Sequence, residues 1–176
     1  MATTEEKIIL RVYAALAASL ILMFVPLLSV AIVSFVLFIG TMIAAYTIKR
    51  KAEPLSLSAD HMVFITRTIW IGSLLAIITT SIGAAYMLAY ADRYPLMECS
   101  QRAADQILAS GAQDMKTLNA LMMPCIDGFL ALNMQTMIIA LVISATLPLV
   151  YFAFRLARGL TRARKGHRMG NNKSWL

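Results

Sequence analysis

Apolar positions in this chain run on too long for strand alternation or for one amphipathic helical face. Residues 12–48 are 37 consecutive positions without an ionisable acid or base, bounded by Arg11 and Lys49. A helix rises about 1.5 Å per residue, and a hydrocarbon core about 30 Å thick takes roughly 20 residues. The run is long enough to cross twice. Pro26 is its one strong breaker, with Ser29 close behind, so the pattern predicts helices over about 7–24 and 28–49 joined by a very short turn. A single helix kinked at Pro26 would leave apolar turns in water. Two more uncharged stretches follow, residues 68–91 (24 residues) and 128–154 (27 residues), each enough for one tilted span. The predicted fold is all-α, an integral membrane four-helix bundle. Residues 1–91 hold the first three spans (the third over 61–91, with Asp60 as its N-cap), and residues 128–158 form the fourth span. Residues 159–176 make a basic tail.

Orientation follows from Lys and Arg. Four spans put the N-terminal tail, the 49–67 link and the C-terminal tail on one side. These carry 13 of the 16 cations, Lys173 among them, against Arg93, Arg102 and Lys116 opposite. Cationic loops stay on the cytoplasmic side, so both termini are expected there, in a bacterial inner membrane. Tyr13, Tyr46 and Tyr151 fall at the expected inner border, and Tyr86, Tyr90 and Tyr94 at the outer one. Composition agrees: 60% of residues are hydrophobic and 14% charged, where a soluble domain averages about 25% charged. In a soluble chain a net charge of +7 would suggest nucleic acid; here topology explains it, and no nucleic-acid partner is expected. The basic tail reads either as a stop-transfer signal or as a binder of anionic lipid or a partner.

The 36-residue segment 92–127 is too long for a mere connection. Two amphipathic stretches, 98–109 and 113–123, are separated by Gly111, and Pro124 is expected to end the second. This predicts a small helical cap on the outer, periplasmic face. Its ends carry the chain's two cysteines, Cys99 and Cys125, on the oxidising side, where a disulfide is expected; two free thiols are the other reading. There is no C-x-x-C and no histidine in this segment, so neither a redox centre nor a metal site is expected.

Polar residues within the spans are sparse. Thr79, Thr80 and Ser81 lie mid-span in the third helix; Asn133, Gln135 and Thr136 open the fourth. Such groups hydrogen-bond across helices or line a path. No Asp, Glu, Lys or Arg sits deep in a span, unlike the usual ion-coupled transporter. Pro148 is expected to kink the fourth helix or shift its packing. His61 and His167, the two histidines, both flank membrane ends, and no hydrolase, P-loop or zincin motif occurs. The expectation is a non-enzyme without cofactor.

At the start of the third span, His61, Phe64, Arg67, Thr68, Trp70 and Gly72 form H-x2-F-x2-R-T-x-W-x-G. At the end of the fourth, Arg155, Arg158 and Gly159 form R-x2-R-G, with Gly166 and Met169 beyond. This pair of motifs resembles small bacterial membrane proteins grouped as Tic-twenty-like, after a chloroplast inner-envelope import component. Tyr46, Lys49 and Arg50 are similar to the tyrosine and basic pair that close the preceding helix in that family, and Arg168 stands where a proline usually precedes the methionine. The likeness covers residues 40–72 and 153–169. Such relatives usually join the last helices by a short turn, so the 92–127 cap lies outside it.

The resemblance implies little chemistry and, by the family's name, translocation, while the absence of catalytic motifs, the stapled outer cap and the basic inner rim point to an assembly role. Two functions are therefore expected. The first is a non-catalytic subunit or scaffold of a larger membrane complex, partnered by other subunits, itself and the bilayer, with a cytoplasmic rim of His61, Arg67, Trp70, Arg155 and Arg158 as docking surface. The second is an oligomeric translocation or permeation component lined by Thr79, Thr80, Asn133 and Gln135.

Overall fold

The computed structural model describes residues 4–111 and 114–170. Six helices account for nearly all of them: α1 (Thr4–Leu22), α2 (Leu28–Lys51), α3 (Leu57–Tyr90), α4 (Tyr94–Ser110), α5 (Met115–Leu132) and α6 (Met134–Arg164). No strand occurs among the described residues. Gln113 and Lys173, both used in the sequence reading, lie outside the described residues.

Three helices, α2, α3 and α6, are long and apolar enough to cross a membrane. Their 24, 34 and 31 residues correspond to about 36, 51 and 46 Å of helix. In α1, Glu5, Glu6, Lys7 and Arg11 leave only the part beyond Arg11 as an uncharged run. The break between α1 and α2 falls at residues 23–27, around Pro26, as the pattern predicts. Burial on α2 runs opposite to that of a soluble helix. Ser34, Thr41 and Ala45 are its buried residues. Ile32, Val33, Phe35, Val36 and Ile43 are exposed. Small and hydroxylated residues inside and large aliphatic ones outside suit close helix packing in lipid, where the outward face gains nothing from being hidden.

The chain forms two compact units. The first comprises residues up to Ala76 and from Leu147 onward. Here α1 turns a helical stripe, Ile9, Val12, Tyr13 and Leu16, into a core shared with Ala45, Met62, Phe64, Ile65, Ile69, Ala163 and Met169. α1 and α2 pack as an antiparallel hairpin, in which Ser34 Oγ donates to the Ser19 carbonyl at 2.7 Å. Between α2 and α3 the chain makes a turn closed by Ser56 N–H to the Glu53 carbonyl. Leu55 occupies its third position at φ 69°, where glycine is usual.

Residues 77–146 form the second unit. The cap is there: α4 and α5 pack as a hairpin tied by the Cys99–Cys125 disulfide, with a Cα–Cα distance of 5.5 Å. Gly111, at φ 63°, ends α4 in the left-handed conformation. Asp114 caps α5, its carboxylate accepting from the Thr117 N–H at 2.9 Å and hydroxyl at 3.0 Å. The Thr117 backbone bond is the main reason that this carboxyl is held below its usual pKa. A depressed native pKa means that the cap's contribution is fully present above the unfolded value, near pH 4, and is lost as pH falls through the native one. Amide exchange protection in the first turn of α5 is therefore expected to hold from neutrality to about pH 4 and to fall below it. Protection unchanged in Asp114→Ala would remove that role.

Several predicted boundaries move. Asp60 is not the N-cap of α3: the helix starts at Leu57, and Ser56 Oγ accepts the Ala59 N–H instead. Pro124 does not end α5, which continues to Leu132. A proline removes one hydrogen-bond donor, and the turns on either side keep theirs. The last long helix accordingly begins at Met134 rather than at residue 128. Asn133 sits between α5 and α6 as the C-cap of α5, not inside the last helix. α6 runs unbroken through Pro148.

Candidate functional site: a buried arginine–histidine cluster

The residues of the two sequence motifs meet in the first unit. α3 presents His61, Phe64 and Thr68 on one face, spaced three and four apart. α6 brings Arg155 against this face. Its guanidinium lies 3.7 Å from the centroid of the Phe64 ring, and its Nε donates to Thr68 Oγ1 at 3.1 Å. A desolvated cation over an aromatic face is worth about 2 kcal/mol. Thr68 Oγ1 donates in turn to the Phe64 carbonyl of its own helix at 2.7 Å, which fixes its lone pairs toward Arg155. Arg155 is 0% exposed, an unusual burial for a residue of this size and charge.

One turn toward the start of α3, His61 bridges two other segments. Its Nε2 lies 3.1 Å from the His167 carbonyl, and its Nδ1 lies 3.1 Å from the Tyr13 hydroxyl. A carbonyl only accepts, so Nε2 carries a proton. In the neutral ring Nδ1 then accepts from Tyr13. The Tyr13 ring meets the imidazole edge-on at 5.8 Å between centroids. Gly159 makes this possible: a Cβ there would stand 2.5 Å from the tyrosine oxygen. Gly72 does the same for the Phe152 ring, whose atoms occupy the place of its missing Cβ.

The tail completes the cluster. Gly166, at φ 64°, turns the chain back after α6, and Met169 is buried in the core. Arg168 Nε donates to Asp60 Oδ2 at 2.7 Å, while Arg162 holds the Arg168 and Met169 carbonyls at 3.1 and 2.9 Å. Ser58 Oγ donates to Glu5 at 2.9 Å, tying α3 to the start of α1.

Of the expected rim, then, His61 and Arg155 are sealed inside. Trp70, 60% exposed, points elsewhere and donates from Nε1 to the Tyr46 hydroxyl at 2.7 Å. Arg67 and Arg158 are half-buried. Tyr13, expected as a border aromatic, is a core residue at 1% exposure.

The expected intramembrane residues do not share one lining. Thr79 Oγ1 donates to the Ser144 carbonyl at 2.7 Å, beside the close approach of Gly83 to the Ala140 carbonyl. Asn133 is buried at the α5–α6 corner. Its Oδ1 accepts the Asp92 N–H at 2.8 Å, and its Nδ2 donates to the Asp92 carbonyl at 3.0 Å. Thr80 and Gln135 are exposed. Among the described residues no group of three or more His, Cys, Asp or Glu is placed to hold a metal.

Tyr13, Asp60, Arg162 and Arg168 were not singled out as site residues from sequence. The spacing of Tyr13 with Ile9 and Leu16 was the available signal that it faces inward.

The class defined so far is an all-α protein with helices suited to a membrane. No family model, no curated protein and no solved structure matches the chain.

Proposed function

We propose that this chain is a four-span protein of a bacterial inner membrane, with both termini cytoplasmic, acting as a non-catalytic subunit that holds or assembles a larger membrane complex. The observation that carries this reading is the sealed cluster. The side chains most capable of chemistry, His61 and Arg155, serve to join α1, α3, α6 and the tail. The surface left for partners is apolar helix face with the Trp70–Tyr46 pair on it. The packing of α1 along α2 supports α1 as the fourth span, and an even count puts the cationic ends together on the cytoplasmic side. The mutual packing of the H-x2-F-x2-R-T and R-x2-R-G segments supports the Tic-twenty-like resemblance, since residues shared for a common fold are expected to touch.

Permeation is the weaker reading, because Thr79 and Asn133 are hydrogen-bonded to neighbouring backbone and only Thr80 and Gln135 face outward.

The test is extraction in a mild detergent followed by native electrophoresis and mass spectrometry, with a photo-crosslinking residue in place of Trp70. A heterologous protein adduct of defined mass is expected. Migration as a lone monomer or homodimer, with crosslinks to lipid alone, overturns the proposal.

A further inference from the structure

A groove of about 270 Å³ lies between α1 and α2. Ala15, Gly40 and Ala44 line it, and Arg11 stands at one end. It is open at Gly40, where nothing lies within 4 Å of the place a Cβ would take. Thr41, also in its wall, turns its hydroxyl to the Leu37 carbonyl at 2.7 Å, so the groove offers hydrocarbon along its length. The antiparallel pairing sets Arg11 toward the end of α2 that carries Lys49, Arg50 and Lys51. Lys7 precedes Arg11 by one turn on the same face of α1, and both are exposed. The two acids of that first turn are engaged elsewhere: Glu5 accepts from Ser58, and Glu6 lies against Gly166.

We propose that this groove binds one anionic phospholipid, an acyl chain lying along Ala15, Gly40 and Ala44 and the phosphate held by Arg11 and Lys7. The proposal rests on α1 and α2 standing in the bilayer. Its polarity matches that of a lipid, with hydrocarbon along Ala15, Gly40 and Ala44 and a cation, Arg11, at one end. Charge selects the headgroup. A guanidinium matches phosphate oxygens in bidentate fashion, and a second cation one turn away adds attraction for a net negative lipid. Each cation near the surface is worth roughly fivefold in affinity.

The full-length protein is reconstituted in vesicles of equal phosphatidylglycerol and phosphatidylcholine, floated after a carbonate wash, extracted in mild detergent and weighed by native mass spectrometry. A retained phosphatidylglycerol is expected in excess over phosphatidylcholine. Gly40→Leu, whose Cβ has nothing within 4 Å and whose branch projects into the groove, is expected to remove it with the unfolding temperature unchanged. Lys7→Gln combined with Arg11→Gln is expected to reduce the phosphatidylglycerol adduct by roughly 25-fold. Failure to float sinks the membrane reading and this site with it. Flotation with equal retention of both lipids, or an adduct unmoved by Gly40→Leu, overturns the site alone. So does a Gly40→Leu variant that loses a dimer and keeps its lipid, which marks the groove as a contact between copies.

Discussion

Truncating Phe64 to alanine is expected to lower the unfolding temperature of the detergent-solubilised protein by about 10 °C. Large-to-small changes at a buried phenylalanine cost about 3–5 kcal/mol, and each kcal/mol shifts a chain of this size by about 2–4 °C. Phe64 is 1% exposed, and its ring is the surface on which the Arg155 guanidinium rests. Phe64→Leu separates the two contributions. It keeps most of the volume and loses the aromatic face, so it is expected to cost about 2 kcal/mol, the worth of the desolvated cation–π contact. In an Arg155→Met background, where no cation rests on the ring, the extra cost of Phe64→Leu is expected to fall toward zero. A leucine penalty that survives there assigns the loss to shape. An alanine variant that melts with the parent means that the cluster does not hold the first unit together. Thermal scans of the five proteins decide between these outcomes.

Loss of the Cys99–Cys125 disulfide is expected to weaken the cap by about 3.5 kcal/mol, from the chain-entropy relation at a sequence separation of 26. The Cys99→Ser, Cys125→Ser protein should show rapid proteolysis within residues 94–132, while the His61–Arg155 cluster keeps its thermal transition. The same bond reports topology. It forms and persists on an oxidising face, so both thiols should resist alkylation in intact cells until a reductant is added. Ready labelling without reductant, by a reagent delivered only to the cytoplasm, would invert the proposed orientation. Equal proteolysis of parent and double-serine protein would show that helix packing alone sustains the cap.

How much of this was legible before the structure differs by element. The α1–α2 break was, because Pro26 is the single strong interruption in an apolar run. So were the two cap helices and their disulfide, since Gly111 can take φ 63° at little cost and the cysteines sit at the cap's ends. The α3 start was misplaced because Asp60 was read as its cap; the acid sits instead in the first turn, where it suits the helix dipole and receives Arg168. The end of α5 was misplaced because proline was weighed as a stop, and Asn133, the residue that turns the chain, reads from sequence as one more polar group within a span. The cluster was half visible. The motifs named His61, Phe64, Thr68 and Arg155, and helical spacing put the first three on one face. That Arg155 lies inside, over Phe64, depends on a contact 91 positions apart, which no local pattern encodes.

The folded-back tail fixes the order in which this protein can finish maturing. His61 and Tyr13 emerge from the ribosome long before His167 and Met169, yet His61 needs the His167 carbonyl to satisfy Nε2. Until the stretch after Arg164 is synthesised, the His61 imidazole lacks its backbone partner. Closure is a late step, reached when residues 165–170 fold over the assembled helices. Chains ending before Gly166 lack both the His167 carbonyl and the buried Met169, and should unfold at a lower temperature than the parent in a thermal scan.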